Sequence, residues 1–193
     1  MMFERFTKDA REVVKGAVAR AEDERARTVD PGHLLLALLD RERSRGSFVL
    51  AALGVTARRD SMTRALAEAR RRAGLSQAET EALAGLGIDV ARIVSRVEEV
   101  HGTGAMSGSP KGKAWWGGGR PSFGRDARTV LEKSLRIALA RRDRSIGDQH
   151  LLLALTALPG VPAEVLADHG VTYESATRVL DGGLDGGGEA KAG

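Results

Sequence analysis

Two histidines, His33 and His150, are the residues whose repetition first raises the question of chemistry, because each opens the same run, His-Leu-Leu-Leu-Ala-Leu. A pair of equivalent imidazoles is raw material for a metal site or a general base. No cysteine occurs in the 193 residues, and no cluster of carboxylates accompanies either histidine in sequence. Buried imidazoles bonded to backbone are therefore the expectation. His101 and His169 stand near expected helix ends, where a positive charge suits the helix dipole. Serine, histidine and aspartate all occur, but no Gly-x-Ser-x-Gly elbow presents a nucleophile. The nearest approach to a phosphate-cradling loop, Gly108-Ser109-Pro110-Lys111-Gly112-Lys113-Ala114, has the wrong spacing and no hydroxyl to hold magnesium. No catalytic residue, metal or cofactor is expected, and the chain reads as a binding module rather than an enzyme.

Basic residues are the other candidates. Arg70-Arg71-Arg72, Arg141-Arg142 with Arg144, and Lys111, Lys113 and Arg120 beside Trp115-Trp116 offer phosphate contacts and base stacking, which is the alternative reading as a nucleic-acid-binding protein. Against it, the formal net charge is only +4, from 30 basic and 26 acidic residues. Solvated helix faces and a basic loop account for the same residues without nucleic acid.

The elements that would position these residues are helical. Aromatic residues are 4% of the chain and apolar residues 42%, so the core is one of Ala, Leu and Val. Ala10, Val13, Val14, Ala17, Val18 and Ala21 recur at steps of three and four, a stripe on one helix that Thr7 caps. Asp30-Pro31 is an N-cap and first-turn pair for the helix holding His33 to Leu39, and Asp148 takes the cap in the second copy. Both leucine helices are apolar on most sides and are expected to be central. Short helices follow at Phe48 to Leu53 and Ala163 to His169, stopped by Gly54 and Gly170. A helix then runs to Arg72, Ser76 and Glu79 form a capping box, and a helix from about Asp89 to Val100 turns Val90, Ile93, Val94 and Val97 inward. The second copy closes with Tyr173 to Leu180. The amino terminus lacks the apolar run of a signal peptide, and no stretch approaches the roughly 20 apolar residues of a membrane span. A cytoplasmic location and no membrane contact are expected.

The strongest signal is internal. A shift of 117 lays Phe6 to Leu38 over Phe123 to Leu155 without a gap, with 14 of 33 positions identical. Asp9-Ala10-Arg11 falls on Asp126-Ala127-Arg128, and after one deletion Gly54-Val55-Thr56 falls on Gly170-Val171-Thr172. The chain is a duplication, and the expected fold is all-α, with two homologous helical repeats. The divisions expected are repeat 1 with extended C-terminal helices over 2–101, a glycine-rich linker over 102–122, repeat 2 over 123–181 and a disordered tail over 182–193.

Met-Phe-Glu-Arg-Phe-Thr-x-x-Ala-Arg at Met2 to Arg11, the repeated aromatic start at Phe123, the two leucine helices and the Leu-Gly-Val turn at Leu53 together resemble the amino-terminal double repeat of Clp-type unfoldases, most closely that of ClpC. The resemblance spans roughly residues 2 to 181. It implies an all-helical, pseudo-twofold bundle that does no chemistry and recruits substrates and adaptors to an unfoldase ring. On that footing the expected partners are a Clp unfoldase, its adaptors or substrate polypeptides, with cyclic-peptide antibiotics as further ligands, and the chain is an accessory, regulator or decoy in Clp-dependent proteolysis. The docking surface implied by matching residues comprises Phe3, Arg11, Phe123, Arg128 and Glu132. In ClpC-like repeats a glutamate before each leucine helix helps hold phosphoarginine, and Gly32 and Gln149 stand at those positions. Neither supplies the anionic acceptor a guanidinium needs.

Overall fold

The computed structural model describes residues 2–72, 75–101 and 120–185. After a 3₁₀ turn at Met2–Arg5 come α1 (Lys8–Asp23), β1 (Thr28–Val29), α2 (Pro31–Leu39), α3 (Arg45–Ala52), α4 (Arg59–Arg71), α5 (Gln77–Gly85) and α6 (Val90–His101). Then follow β2 (Ser122–Phe123), α7 (Arg125–Ala140), α8 (Asp148–Ala157), α9 (Val161–Asp168) and α10 (Tyr173–Asp185). The fold is the expected all-α double repeat.

Local chemistry explains most boundaries. Thr7 Oγ1 accepts from Ala10 N–H at 3.2 Å and starts α1, whose buried face is Ala10, Val13, Val14, Ala17 and Ala21. Asp30 caps α2 in the expected way, with Pro31 in its first turn. The left-handed turn after α1 is held by Arg25 (φ 54°) and its counterpart after α7 by Arg142 (φ 59°), so the same backbone strain is kept in both copies.

The two leucine helices are central. Gly32 through Leu39 and Asp148 through Leu155 are buried along their whole length. A nine- or ten-residue helix with no polar face must be enclosed by others. α1 packs on α2 and α7 on α8, while α2 meets α8 at the centre. α3 lies against α8 as α9 lies against α2, and α10 against α3 as α4 against α9. Exchanging the repeats maps each of these packings onto its partner.

The sheet is too small to change the fold class but fixes the symmetry. β1 and β2 pair in parallel, Val29 opposite Phe123. An isolated parallel bridge joins Phe6 to Ile146, which are the residues equivalent to Phe123 and Val29 under the shift of 117. Thr7 N–H donates to Ile146 O at 2.9 Å, and Gly124 N–H to Val29 O at 2.9 Å. The opening residues of each repeat are thus stitched to the segment that precedes the other repeat's leucine helix.

Several expectations need correction. Asp148 does not cap α8; Gly147 holds that position and Asp148 is the first helical residue. α3 begins at Arg45 rather than Phe48 because Ser44 and Ser47 form a capping box. α9 begins at Val161, with Pro162 accommodated in the first turn where no N–H is needed. Ile93 points outward, 45% exposed, whereas Val90 and Val94 are buried. The expected tail at 182–193 starts inside α10, which continues to Asp185, and the expected linker at 102–122 ends in β2 at Ser122. Residues 102–119, with Lys111, Lys113, Trp115 and Trp116, and residues 186–193 lie outside the described residues. No single described helix is long and apolar enough to cross a membrane.

Candidate functional site

Arg11 and Arg128 occupy equivalent places near the start of α1 and α7, and both are exposed. Arg11 Nε donates to Phe6 O at 3.1 Å, which ties the guanidinium to the strand-exchange point. Glu132 lies one turn beyond Arg128 on α7 and is also exposed. Phe123 is partly buried against the core, with its backbone in β2. Phe3 belongs to the opening 3₁₀ turn, and its side chain lies outside what is described. Phe6, beside these candidates, is a core residue at 2% exposure.

At the start of the leucine helices the two histidines do the same work. Asp30 N–H donates to His33 Nδ1 at 3.0 Å and Gly147 N–H to His150 Nδ1 at 2.9 Å. With Nδ1 accepting, Nε2 of each ring is left to donate, and it faces Glu24 in one repeat at 3.2 Å and Asp143 in the other at 2.8 Å. The expectation of backbone-bonded buried histidines holds. A carboxylate does accompany each ring, which sequence did not reveal because Glu24 and Asp143 sit at non-equivalent positions of the two copies. Among the described residues no group of three or more His, Asp and Glu is arranged to hold a metal ion.

Burial pushes the His150 imidazole below its usual range, outweighing Asp143, which favours protonation. A group whose folded pKa is depressed binds its proton more readily when unfolded, so stability falls as pH drops below about 6.5. The urea midpoint is expected to be lower at pH 5.5 than at pH 7.5, and His150→Asn should flatten that dependence. An unchanged slope in the variant would rule out His150 as its source.

The residues standing where the family has glutamate are differently employed. At Gly32 an added Cβ would stand 3.3 Å from the Arg70 guanidinium, so that guanidinium lies directly against the glycine. That guanidinium pairs with Glu24 and, at 3.2 Å, with Asp30 Oδ1. Burial works against Asp30 ionising, but its hydrogen bonds with His33 and the Arg70 charge prevail and hold its pKa at about 2. In the second repeat Gln149 is buried and folds over Gly147. Asp148, 2% exposed, turns away to the other repeat and accepts from Gly46 N–H at 3.0 Å and from the Ser44 hydroxyl at the start of α3. Neither aspartate is a free anionic acceptor.

The arginine clusters are largely spoken for. Arg71 lies 3.6 Å from Glu68 and 3.4 Å from Glu98, Arg72 donates to Gln77, and Arg141 pairs with Asp181. Arg120 is exposed and 3.8 Å from Glu22.

A groove of about 570 Å³ opens between the repeats, where a peptide-binding groove is expected, but Phe3, Arg11, Phe123, Arg128 and Glu132 are not among the described residues that line it. Its floor includes Leu66, Val130, Leu155 and Leu158, and its rim carries Glu79 and Asp126. It draws on α2, α4, α5, α7, α8 and α9, so no single stretch of sequence carries its signal. A smaller cavity of about 140 Å³ lies at the equivalent end of the molecule, lined by Asp9, Arg45, Arg144 and Asp148 among others.

Comparison with known proteins is consistent with this geometry. The family model described as the Clp repeat (R) N-terminal domain matches residues 5–99 and 122–191. The N-terminal domain of the caseinolytic protease-associated chaperone ClpD from Arabidopsis thaliana superposes with a TM-score of 0.50 at 16% identity, over 96% of this chain and 97% of that one. A chain from a structural study of a malarial protein secretion system superposes with a TM-score of 0.52 at 11% identity, over 95% and 97% of the two chains. At such identities these likenesses speak for the fold. No curated protein matches the sequence.

Proposed function

This chain belongs to the Clp repeat N-terminal domain family, and on that premise we propose that it is a non-catalytic module that binds polypeptides on behalf of a Clp unfoldase, as an accessory, regulator or decoy. Domains of this fold are in general protein-interaction modules of Clp unfoldases. The observation that carries the reading is the reciprocal stitching of the repeats at Phe6–Ile146 and Phe123–Val29. It supports a surface to which both repeats contribute, with Arg11, Arg128 and Glu132 as its charged members and Phe3 and Phe123 as its aromatic ones.

Gly32 and Gln149 argue for ligands other than phosphoarginine, since Asp30 and Asp148 are committed within the fold. Unmodified substrates, adaptors or the unfoldase itself are the proposed partners, and cyclic-peptide antibiotics are proposed to use the same surface.

Fluorescence anisotropy of a labelled, reduced and carboxymethylated protein, titrated with the full chain, tests the proposal. Saturable binding is expected, and Arg11→Ala with Arg128→Ala should weaken it about tenfold, or roughly 1.4 kcal/mol. Both side chains are exposed, so the variant should keep its helical circular dichroism. Absence of binding by the wild type would end the proposal.

A further inference from the structure

Of the ion pairs made in one repeat and not in the other, one concerns the large groove. In repeat 1, Asp9 of α1 accepts from Arg41 at 2.6 Å, the arginine coming from the turn after α2. Its equivalent in α7, Asp126, is exposed and has no hydrogen bond or ion pair among the described residues. The residue 117 positions on from Arg41 is Leu158, and no lysine or arginine occurs between Arg144 and Arg178. Among the described residues, repeat 2 therefore has the carboxylate without the cation that pairs with it in repeat 1.

Position in the second place of a helix is enough to explain an aspartate, since an acidic group there is favoured by the dipole. It does not explain what surrounds Asp126. Leu155, Leu158 and Val161 give the same groove an apolar lining, and Glu79 also borders it. Among the described residues the one cation lining the groove is Arg70, already held by Glu24 and Asp30. Of the three carboxylates that line the groove, Asp30 accepts from His33 N–H and Arg70 and Glu79 accepts from Ser76 N–H at 2.8 Å, which leaves Asp126 without a partner among the described residues. A carboxylate in a groove with an apolar lining suits an arginine or lysine, whose stem lies on hydrocarbon while its head reaches a charge. The volume of about 570 Å³ is in the range of ligand clefts and leaves room for neighbouring residues.

We infer that this groove binds a cationic side chain of a partner polypeptide, with its head on Asp126 and its stem along Leu155, Leu158 and Val161. The pair Asp9–Arg41 is the intramolecular version of the same contact. The inference rests on the reading of the chain as a polypeptide-binding module and adds a site separate from Arg11 and Arg128.

The test uses the full chain and two labelled peptides, acetyl-Gly-Leu-Arg-Leu-Gly-amide and its citrulline counterpart, which keeps the shape and removes the charge. Wild type is expected to prefer the arginine peptide by about tenfold, as one charge-assisted contact allows. Asp126→Asn should abolish the preference. Leu158→Arg should abolish it as well, by restoring in repeat 2 the pair that repeat 1 makes. Equal affinity for the two peptides in wild type, or a preference that survives both substitutions, overturns the inference. So does tighter binding of a phosphoarginine peptide, because Asp126 would repel the phosphate. Dimerisation lost in Asp126→Asn without any peptide preference also overturns it, in favour of a second copy as occupant. Should the carboxymethylated protein still bind in an Arg11- and Arg128-dependent manner, the proposed function survives; should nothing bind, both fall.

Discussion

Phe6→Ala is expected to cost about 3–5 kcal/mol, the range for deleting a large buried aromatic, and to weaken both repeats together. Phe6 is 2% exposed within a core that draws on α1, α2, α7 and α8. Its backbone bridges Ile146, whose N–H donates to Arg5 O at 2.8 Å. Removing the ring leaves a cavity beside a strand contact that links the halves, so α8 loses support although the substitution is in repeat 1. Urea unfolding followed by hydrogen exchange should show amides of α2 and α8 losing protection in one transition. Loss confined to repeat 1 would mean that the copies fold independently.

Asp148→Ala comes second. The carboxylate is buried and holds Gly46 N–H and the Ser44 hydroxyl at the start of α3, in the other repeat. Truncation leaves buried donors without acceptors, at about 1–3 kcal/mol each. Asp148→Asn should recover part of the loss, because its amide oxygen still accepts from Gly46. Thermal melts of the three proteins would separate the outcomes, and an alanine variant melting with the wild type would show that water replaces the carboxylate at no cost.

These two residues mark how far sequence reaches into the fold. Leu34 to Leu38 and Leu151 to Leu155 were legible as a buried central pair, since a helix without a polar face admits one environment. Thr7, Asp30 and the Ser76–Glu79 box were legible because capping is local. Asp148 was not, because its partners lie 102 and 104 residues away. Glu24 and Asp143 escaped for a related reason: each serves the histidine of its own repeat from a position that the duplication does not conserve.

The candidate surface was legible only through resemblance. Arg11 and Arg128 could be paired from the shift of 117, but nothing in either stretch revealed that Phe6 and Phe123 each stitch to the opposite repeat. The groove at Asp126 was not legible, because its lining is gathered from six helices and the Asp9–Arg41 contact joins residues 32 apart.

The claim on which all of this depends is that a polypeptide settles on the double repeat. Hydrogen-exchange mass spectrometry of the full chain, with and without saturating carboxymethylated protein, addresses it directly. Added protection at the starts of α1 and α7, around residues 5–11 and 120–132, is the predicted result; exchange unchanged there, or slowed only in α5 and α6, would contradict it.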